Sequence, residues 1–189
     1  MYKRQPNEYN RIDRLAIELY VDYGLNKFPI DEKSLCRKLG ISLVPYSAYE
    51  GECRRILYKE STEGSFSYGA TQLKPIVFYN DGNDPFYGNT RQTILHEIKH
   101  FIDEDENDSE DDLAEHFARY MACPTPYLVW KNIIDVNEII STFGVSATIA
   151  GYVSSSVKNR INKYGYKIFN YEKPLIDLFK NKEGSDNIE

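Results

Sequence analysis

The sequence predicts an α+β fold in which a small β-sheet packs on helices. Apolar residues recur at helical spacing near both ends of the chain, whereas β-branched and aromatic residues gather in short runs in its middle. With 189 residues, of which 41% are apolar and 14% aromatic, the chain can build a core. We therefore expect a single domain over residues 1–189, with its core at about 16–130 and a helical C-terminal part at about 131–170.

Two helices are predicted in the N-terminal region. The first runs near Glu8–Tyr23 and stops at Gly24. Its apolar positions are Ile12, Leu15, Ile17 and Leu19. Asp31 is placed to cap a second helix that ends at Gly40.

Four short strands are predicted to follow, because β-branched and aromatic residues cluster there. They lie near Ile41–Tyr46, Arg54–Lys59, Phe66–Thr71 and Pro75–Asn80. The turn-forming cluster Asp81–Pro85 then breaks the last strand before the next helix.

The C-terminal part is predicted to be helical. Helices are expected near Val136–Thr142 and Ser146–Lys163, both after Pro126. Ser146 has the side chain of a typical N-cap residue.

Either of two strands could form an edge of the sheet beside a cleft. An extended peptide can add itself to such an edge, because the edge satisfies the peptide's backbone hydrogen bonds. The candidates are Phe66–Thr71 and Ile76–Asn80, and the alternative for each is an internal strand.

The segment His96-Glu97-Ile98-Lys99-His100 carries the chemistry of this chain. Residues four apart on a helix differ by about 40° and lie about 6 Å apart along the axis, so both imidazoles face one side. Two neutral imidazoles on one helix face can share a zinc ion, and Glu97 would then take a proton from water as general base. Its apolar neighbours mark a buried stripe, which comprises Ile94, Leu95, Ile98, Phe101 and Ile102.

A third ligand is expected from the acidic helix that follows, since catalytic zinc usually takes three protein ligands. Asp111 and Glu115 are four residues apart, so one could bind the metal while the other supports a ligand imidazole. Asp112 and His116 are the competing candidates. The helix should end near Pro124, because proline cannot continue it.

These motifs, taken together, resemble the ImmA/IrrE family of HExxH metallopeptidases. The resemblance covers about Ala16–Gly165. The matching segments are Phe28–Asp31, Lys38–Ser42, Ile76–Asn80, Arg91 with Thr93–Glu97, Asp111–Pro124, Phe143–Ala147, Arg160 and Tyr164–Tyr166.

The resemblance implies a zincin-like metallopeptidase core that holds Zn²⁺ through His96, His100 and Asp111. By position it places Glu115 in the outer shell of the metal site. This chain has Lys99 where the family commonly has glycine, so we expect that side chain to point outward or to displace a neighbour. It has aspartate where the family's third ligand is typically glutamate, which is one methylene longer.

The same resemblance implies a cytoplasmic zinc endopeptidase that cleaves or inactivates a helix-turn-helix transcriptional repressor. The alternative is a zinc-binding protein of weak or no catalytic activity that sequesters a regulatory partner. Lys99 and Asp111, the two departures from the family pattern, favour that alternative.

Composition also indicates whether nucleic acid or a membrane is an expected partner. The formal net charge of −6 argues against direct binding of nucleic acid by the whole surface. Much of this charge lies in residues 103–112, which connect the two metal helices. No apolar run is long enough to span a bilayer, and the three widely spaced cysteines indicate reduced thiols in the cytoplasm.

Overall fold

The computed structural model describes residues 6–68, 74–82, 88–103 and 111–186, and it is a mixed α+β structure dominated by helices. In chain order the elements are α1 Pro6–Asp22, α2 Glu32–Leu39, β1 Ser42–Pro45, α3 Gly51–Glu60, β2 Gly64–Tyr68, β3 Pro75–Tyr79, α4 Gly88–Ile102, α5 Asp111–Ala122, α6 Thr125–Lys131, α7 Val136–Phe143, α8 Ala147–Tyr164 and α9 Lys173–Asp186.

The chain divides into two compact units. One is Asp31–Ala118, which contains the sheet and the histidine-bearing helix α4. The other consists of the described residues of Met1–Ile30 and Arg119–Glu189 and is helical. The single domain expected from the sequence remains a prediction.

The sheet has three strands among the described residues, in the order β1–β3–β2. β1 pairs in parallel with β3, and β2 pairs with β3 in antiparallel fashion. The strand predicted at Ile76–Asn80 is therefore internal in the described sheet, which confirms the second of the two alternatives for it. The strand that begins near Phe66 does lie at an edge of the described sheet, whereas residues 69–71 of that prediction lie outside the described part.

Helix α4 packs against β2 and β3 with the apolar stripe that the sequence predicted. Ile94, Leu95 and Ile98 are fully buried, whereas Phe101 and Ile102 at the end of the helix are only partly covered. Burying three such side chains contributes about 1.5–3 kcal/mol each to folding. The stripe thus sets which face of α4 is left for its histidines.

Asn80, which follows β3, fastens the sheet to its neighbours. Its amide nitrogen donates to the Thr62 carbonyl at 2.8 Å, and its Oδ1 accepts from the Tyr58 hydroxyl at 3.1 Å. Its backbone carbonyl lies 3.5 Å from the Thr90 hydroxyl in the first turn of α4. One buried residue therefore joins α3, the segment before β2 and the start of α4, the first two through its side-chain amide and the last through its backbone carbonyl.

A largely buried ion pair connects α2 to α4. Arg91 Nε lies 3.1 Å from Glu32 Oε2, and the two side chains are 12% and 4% exposed. Asp31 caps α2 as predicted, because its carboxylate accepts from the Ser34 amide at 2.8 Å. Gly40 ends the helix with a φ of 76°, a conformation that glycine adopts without strain.

The helical unit has an aromatic core of its own around Phe28. Its ring lies 4.6 Å from that of Phe143 and 5.0 Å from that of Phe179, centroid to centroid. A bidentate ion pair between Arg160 and the fully buried Glu172 joins α8 to the turn before α9, with N–O distances of 2.6 and 2.7 Å. Ser146 caps α8 as predicted.

Three secondary-structure predictions need correction. The predicted strand at Arg54–Lys59 is wrong, because the chain forms α3 there. The spacing of the apolar residues in this segment suits a helix as well as a strand. Ile56 is 51% exposed, so its side chain is not buried against a sheet. Helices α6 and α9 were not predicted at all. Residues 83–85 of the predicted turn lie outside the described part of the chain.

Membrane insertion of a helix finds no support in the described residues. None of their helices combines the length and apolarity that crossing a bilayer requires.

Two glycine substitutions should affect stability in opposite directions. A Cβ on Gly64 would collide with the Thr93 methyl and lie 2.8 Å from the Phe78 carbonyl oxygen, whereas a Cβ on Gly151 in α8 meets nothing within 4 Å. We expect Gly64→Ala to lower the free energy of unfolding by about 1–3 kcal/mol through overpacking. Gly151→Ala should raise it by about 0.5–1 kcal/mol. Urea unfolding of both variants measures this, and an unchanged Gly64→Ala protein would contradict the close packing of β2 on α4.

Candidate metal centre

His96 and His100 point from one face of α4 toward a common point. Their Nε2 atoms are 3.2 Å apart, and the ring centroids are 5.0 Å apart. This face differs from the stripe of Ile94, Leu95 and Ile98 that packs on the sheet. The helical period predicted this arrangement, and the packing of α4 orients it.

Asp111, at the start of α5, brings a carboxylate to the same point. Its Oδ1 lies 2.9 Å from His96 Nε2. Metal-binding atoms of His96, His100 and Asp111 all lie within 4.8 Å of one another, and no other group of three is found among the described residues. The Asp111 side chain is 67% exposed, so the acid side of this cluster is open to solvent.

Two of the separations among these three atoms fit a small divalent cation. Ligands about 2.0–2.1 Å from a tetrahedral zinc ion lie roughly 3.3 Å apart. The observed 2.9 and 3.2 Å separations are close to that value. Two imidazole nitrogens and one carboxylate oxygen also form the donor set that zinc prefers. The residues therefore fit the predicted metal.

Glu115 lies on the other side of the His96 ring. Its Oε1 is 3.7 Å from His96 Nδ1, just beyond hydrogen-bond distance. A small adjustment would let it accept the Nδ1 proton and so keep Nε2 free to bind a metal. This is the position expected of a supporting carboxylate.

The two competing candidates are not part of the cluster. Asp112 is exposed, and His116 is half-buried on α5. Neither contributes to the group of metal-binding atoms among the described residues. One residue of displacement on a helix turns a side chain by about 100°, which separates both from Asp111 and Glu115.

Glu97 is 8% exposed, and a backbone group of the sheet holds its carboxylate. Burial raises the pKa of Glu97 to about 7, the charge of Asp111 adds to the rise, and a hydrogen bond from the Phe66 amide opposes it. A carboxyl group that titrates near neutrality can both accept and return a proton.

The sheet register explains why the Phe66 amide is available to Glu97. The backbone N–H of Asn80 donates to the Glu63 carbonyl at 2.7 Å, so Glu63 and Asn80 form a hydrogen-bonded pair. In an antiparallel ladder, hydrogen-bonded and non-hydrogen-bonded pairs alternate along the strands. Phe66 is opposite Val77, in a pair that is not hydrogen-bonded. Its backbone N–H therefore points away from β3, toward α4. The sequence offers no signal for this donor, because it is a backbone group.

Burial also favours the neutral form of His96. It lowers the pKa of His96, the neighbouring His100 lowers it further, and Asp111 and Glu115 oppose the effect. Neutral imidazole is the form that binds metal.

Lys99 is fully buried, so of the two expectations for its side chain the outward-pointing one is wrong, and displacement of a neighbour remains a prediction. Its Nζ lies 3.5 Å from Asp103 Oδ2, one helical turn later. An ammonium can be buried only with charged or polar partners, and Asp103 is one of them. The remaining acidic residues of this stretch, at 104–110, lie outside the described part of the chain.

Comparison with models of known protein families, with curated proteins and with solved structures finds no match for this chain.

Protonation of Glu97 should make the stability of the metal-free protein depend on pH. The pKa of Glu97 is about 7 when folded, against an ordinary 4.5, so the folded state binds the extra proton between these values. Stability should therefore fall as the pH rises from 4.5 to 7. Glu97→Gln should remove this fall. The free energy of unfolding of the variant, relative to that of wild type, should therefore rise by about 3 kcal/mol between pH 4.5 and pH 7.

Urea unfolding in the presence of a chelator, at pH 4.5 and pH 7.5, measures this difference. Glu115→Gln, made in parallel, controls for the loss of one negative charge beside His96. An equal gap between wild type and Glu97→Gln at both pH values would contradict the perturbed carboxyl group.

Proposed function

We propose that this protein is a zinc-dependent endopeptidase with a zincin-like core. The observation that carries this proposal is the convergence of His96 Nε2, His100 Nε2 and Asp111 Oδ1 beside the buried Glu97. A binding site for zinc alone would need the three ligands, but it would not need a buried carboxyl group with a pKa near neutrality.

His96, His100 and Asp111 would hold the zinc ion, and Glu115 would orient His96. Bound there, zinc would supply Lewis acidity toward a water molecule and a peptide carbonyl. Glu97 would accept the proton of the attacking water and return it to the nitrogen of the departing amine. The Phe66 amide would hold the Glu97 carboxylate in place before the reaction.

An extended substrate would bind along β2, the strand at the sheet edge nearest to Glu97. The backbone carbonyl of Phe66 faces away from β3 on the same side as its N–H, so it can accept a hydrogen bond from an added strand while the N–H remains with Glu97. β3 offers no such edge, because β1 and β2 pair with its two sides.

The substrate class rests on the resemblance to the ImmA/IrrE family. We propose that the partner is a helix-turn-helix transcriptional repressor and that the encounter takes place in the cytoplasm. The free thiols of Cys36, Cys53 and Cys123 agree with a reducing compartment.

A second candidate function is zinc-dependent sequestration of the repressor without cleavage. The exposed Asp111 carboxylate and the buried ammonium of Lys99 next to the ligands favour it, because both depart from the family's catalytic pattern. Co-expression with a repressor encoded nearby separates the two functions. Cleavage yields repressor fragments, whereas sequestration yields an intact complex.

Glu97→Gln should separate binding of the metal from cleavage. The variant keeps all three ligands, so we expect it to bind one zinc ion per chain, as elemental analysis measures. It removes the proton acceptor, so repressor fragments should disappear on co-expression, a loss of at least about 100-fold in rate. Turnover equal to that of wild type would refute the role of Glu97.

Asp111→Ala should weaken zinc binding far more than Asp112→Ala. The Asp111 carboxylate reaches His96 Nε2 at 2.9 Å, whereas Asp112 lies outside the cluster. Competition with a fluorescent zinc chelator measures both dissociation constants. Equal weakening by the two substitutions would contradict Asp111 as the third ligand.

A further inference from the structure

We propose that Lys99 is a positioning residue: its buried ammonium pairs with Asp103 at the end of α4 and so fixes the point from which the chain leads to Asp111. This inference rests on the proposed function, since it assigns a role toward the same zinc site. It concerns how the site is assembled and not which bonds it breaks.

Glu97 and Lys99 lie on opposite sides, or flanks, of the α4 face that carries His96 and His100. Taking His96 as the reference, Glu97 is turned by about 100° to one side and Lys99 by about 60° to the other. The Glu97 flank faces β2, as its hydrogen bond from the Phe66 amide shows. Lys99 is therefore not part of the flank that holds the general base.

Asp103 lies between Lys99 and the ligands on this helix. It is turned by only about 20° from His96, on the Lys99 side, and it is one turn beyond Lys99. Its carboxylate is 3.5 Å from Lys99 Nζ and 16% exposed. The same residue follows the last residue of α4, so its side chain marks where the chain leaves the helix.

The charges explain why such an anchor is needed. Eight of the ten residues at 103–112 are acidic, so their like charges repel one another. Asp111, the proposed third ligand, lies near the end of that stretch and is itself 67% exposed. A buried cation at the beginning of the stretch compensates the charge of its first carboxylate and holds Asp103 at the end of α4.

If only the charge of Lys99 mattered, its removal would change the zinc affinity in the direction opposite to that expected for a positioning residue. A positive ammonium one residue before His100 repels a divalent cation, so removing it would strengthen zinc binding if Lys99 did nothing else. If Lys99 positions Asp111, its removal should weaken zinc binding. The sign of the change therefore distinguishes the two roles.

The test is a chelator competition that measures the zinc dissociation constant of the full chain and uses no substrate. Lys99→Met retains most of the buried chain length and removes the charge. We expect about 10-fold weaker binding, the lower end of the range for partners outside the ligand shell. Asp103→Asn should give a similar loss, and the double variant should lose no more than either single one.

The decisive comparison uses Asp111→Ala as background. If Lys99 acts through Asp111, then adding Lys99→Met to that variant should leave its zinc affinity unchanged. A further loss there, or tighter binding by Lys99→Met alone, would overturn the inference. Wild-type protein that fails to bind zinc would instead refute the proposed function.

Thermal unfolding in the presence of a chelator accompanies each measurement. Should Lys99→Met be too unstable to purify, Asp103→Asn carries the test, because its partly exposed side chain is easier to replace. Unchanged zinc binding by folded Asp103→Asn would also overturn the inference.

Discussion

The packing of α4 on the sheet is the constraint on which the candidate site depends. Burial of Ile94, Leu95 and Ile98 leaves the helix no rotational freedom, because turning it would expose that stripe. The two histidines are then held on a second face of the helix. Glu97 lies between that face and the buried stripe. Asn80 and the Glu32–Arg91 pair hold the beginning of the same helix.

This packing also produces the chemistry. The close approach of α4 to β2 removes water from Glu97 and brings the Phe66 amide to its carboxylate. Burial and hydrogen bonding act on its pKa in opposite directions, and burial prevails. The site therefore combines a carboxyl group in a largely dry position with a candidate third ligand, Asp111, that remains open to solvent.

Local patterns predicted much of the fold, and the failures have identifiable causes. Helix α1, the caps at Asp31 and Ser146, and the helices bearing HEIKH and Asp111 follow from periodicity and capping chemistry. Helix α3 did not, because a short apolar run such as that around Ile56 suits a strand as well as a helix. The internal position of β3 depends on pairing with β1, which is distant in sequence.

The sequence by itself determined the spacing of His96 and His100, because helical geometry converts four residues into one shared face. It also named Asp111 and Glu115 as the acids within reach. Only the tertiary structure decided that Asp111 joins the histidines, that Lys99 is buried with Asp103, and that the Phe66 amide meets Glu97. These are contacts across turns and between elements, and their geometry follows from packing, which no local pattern encodes.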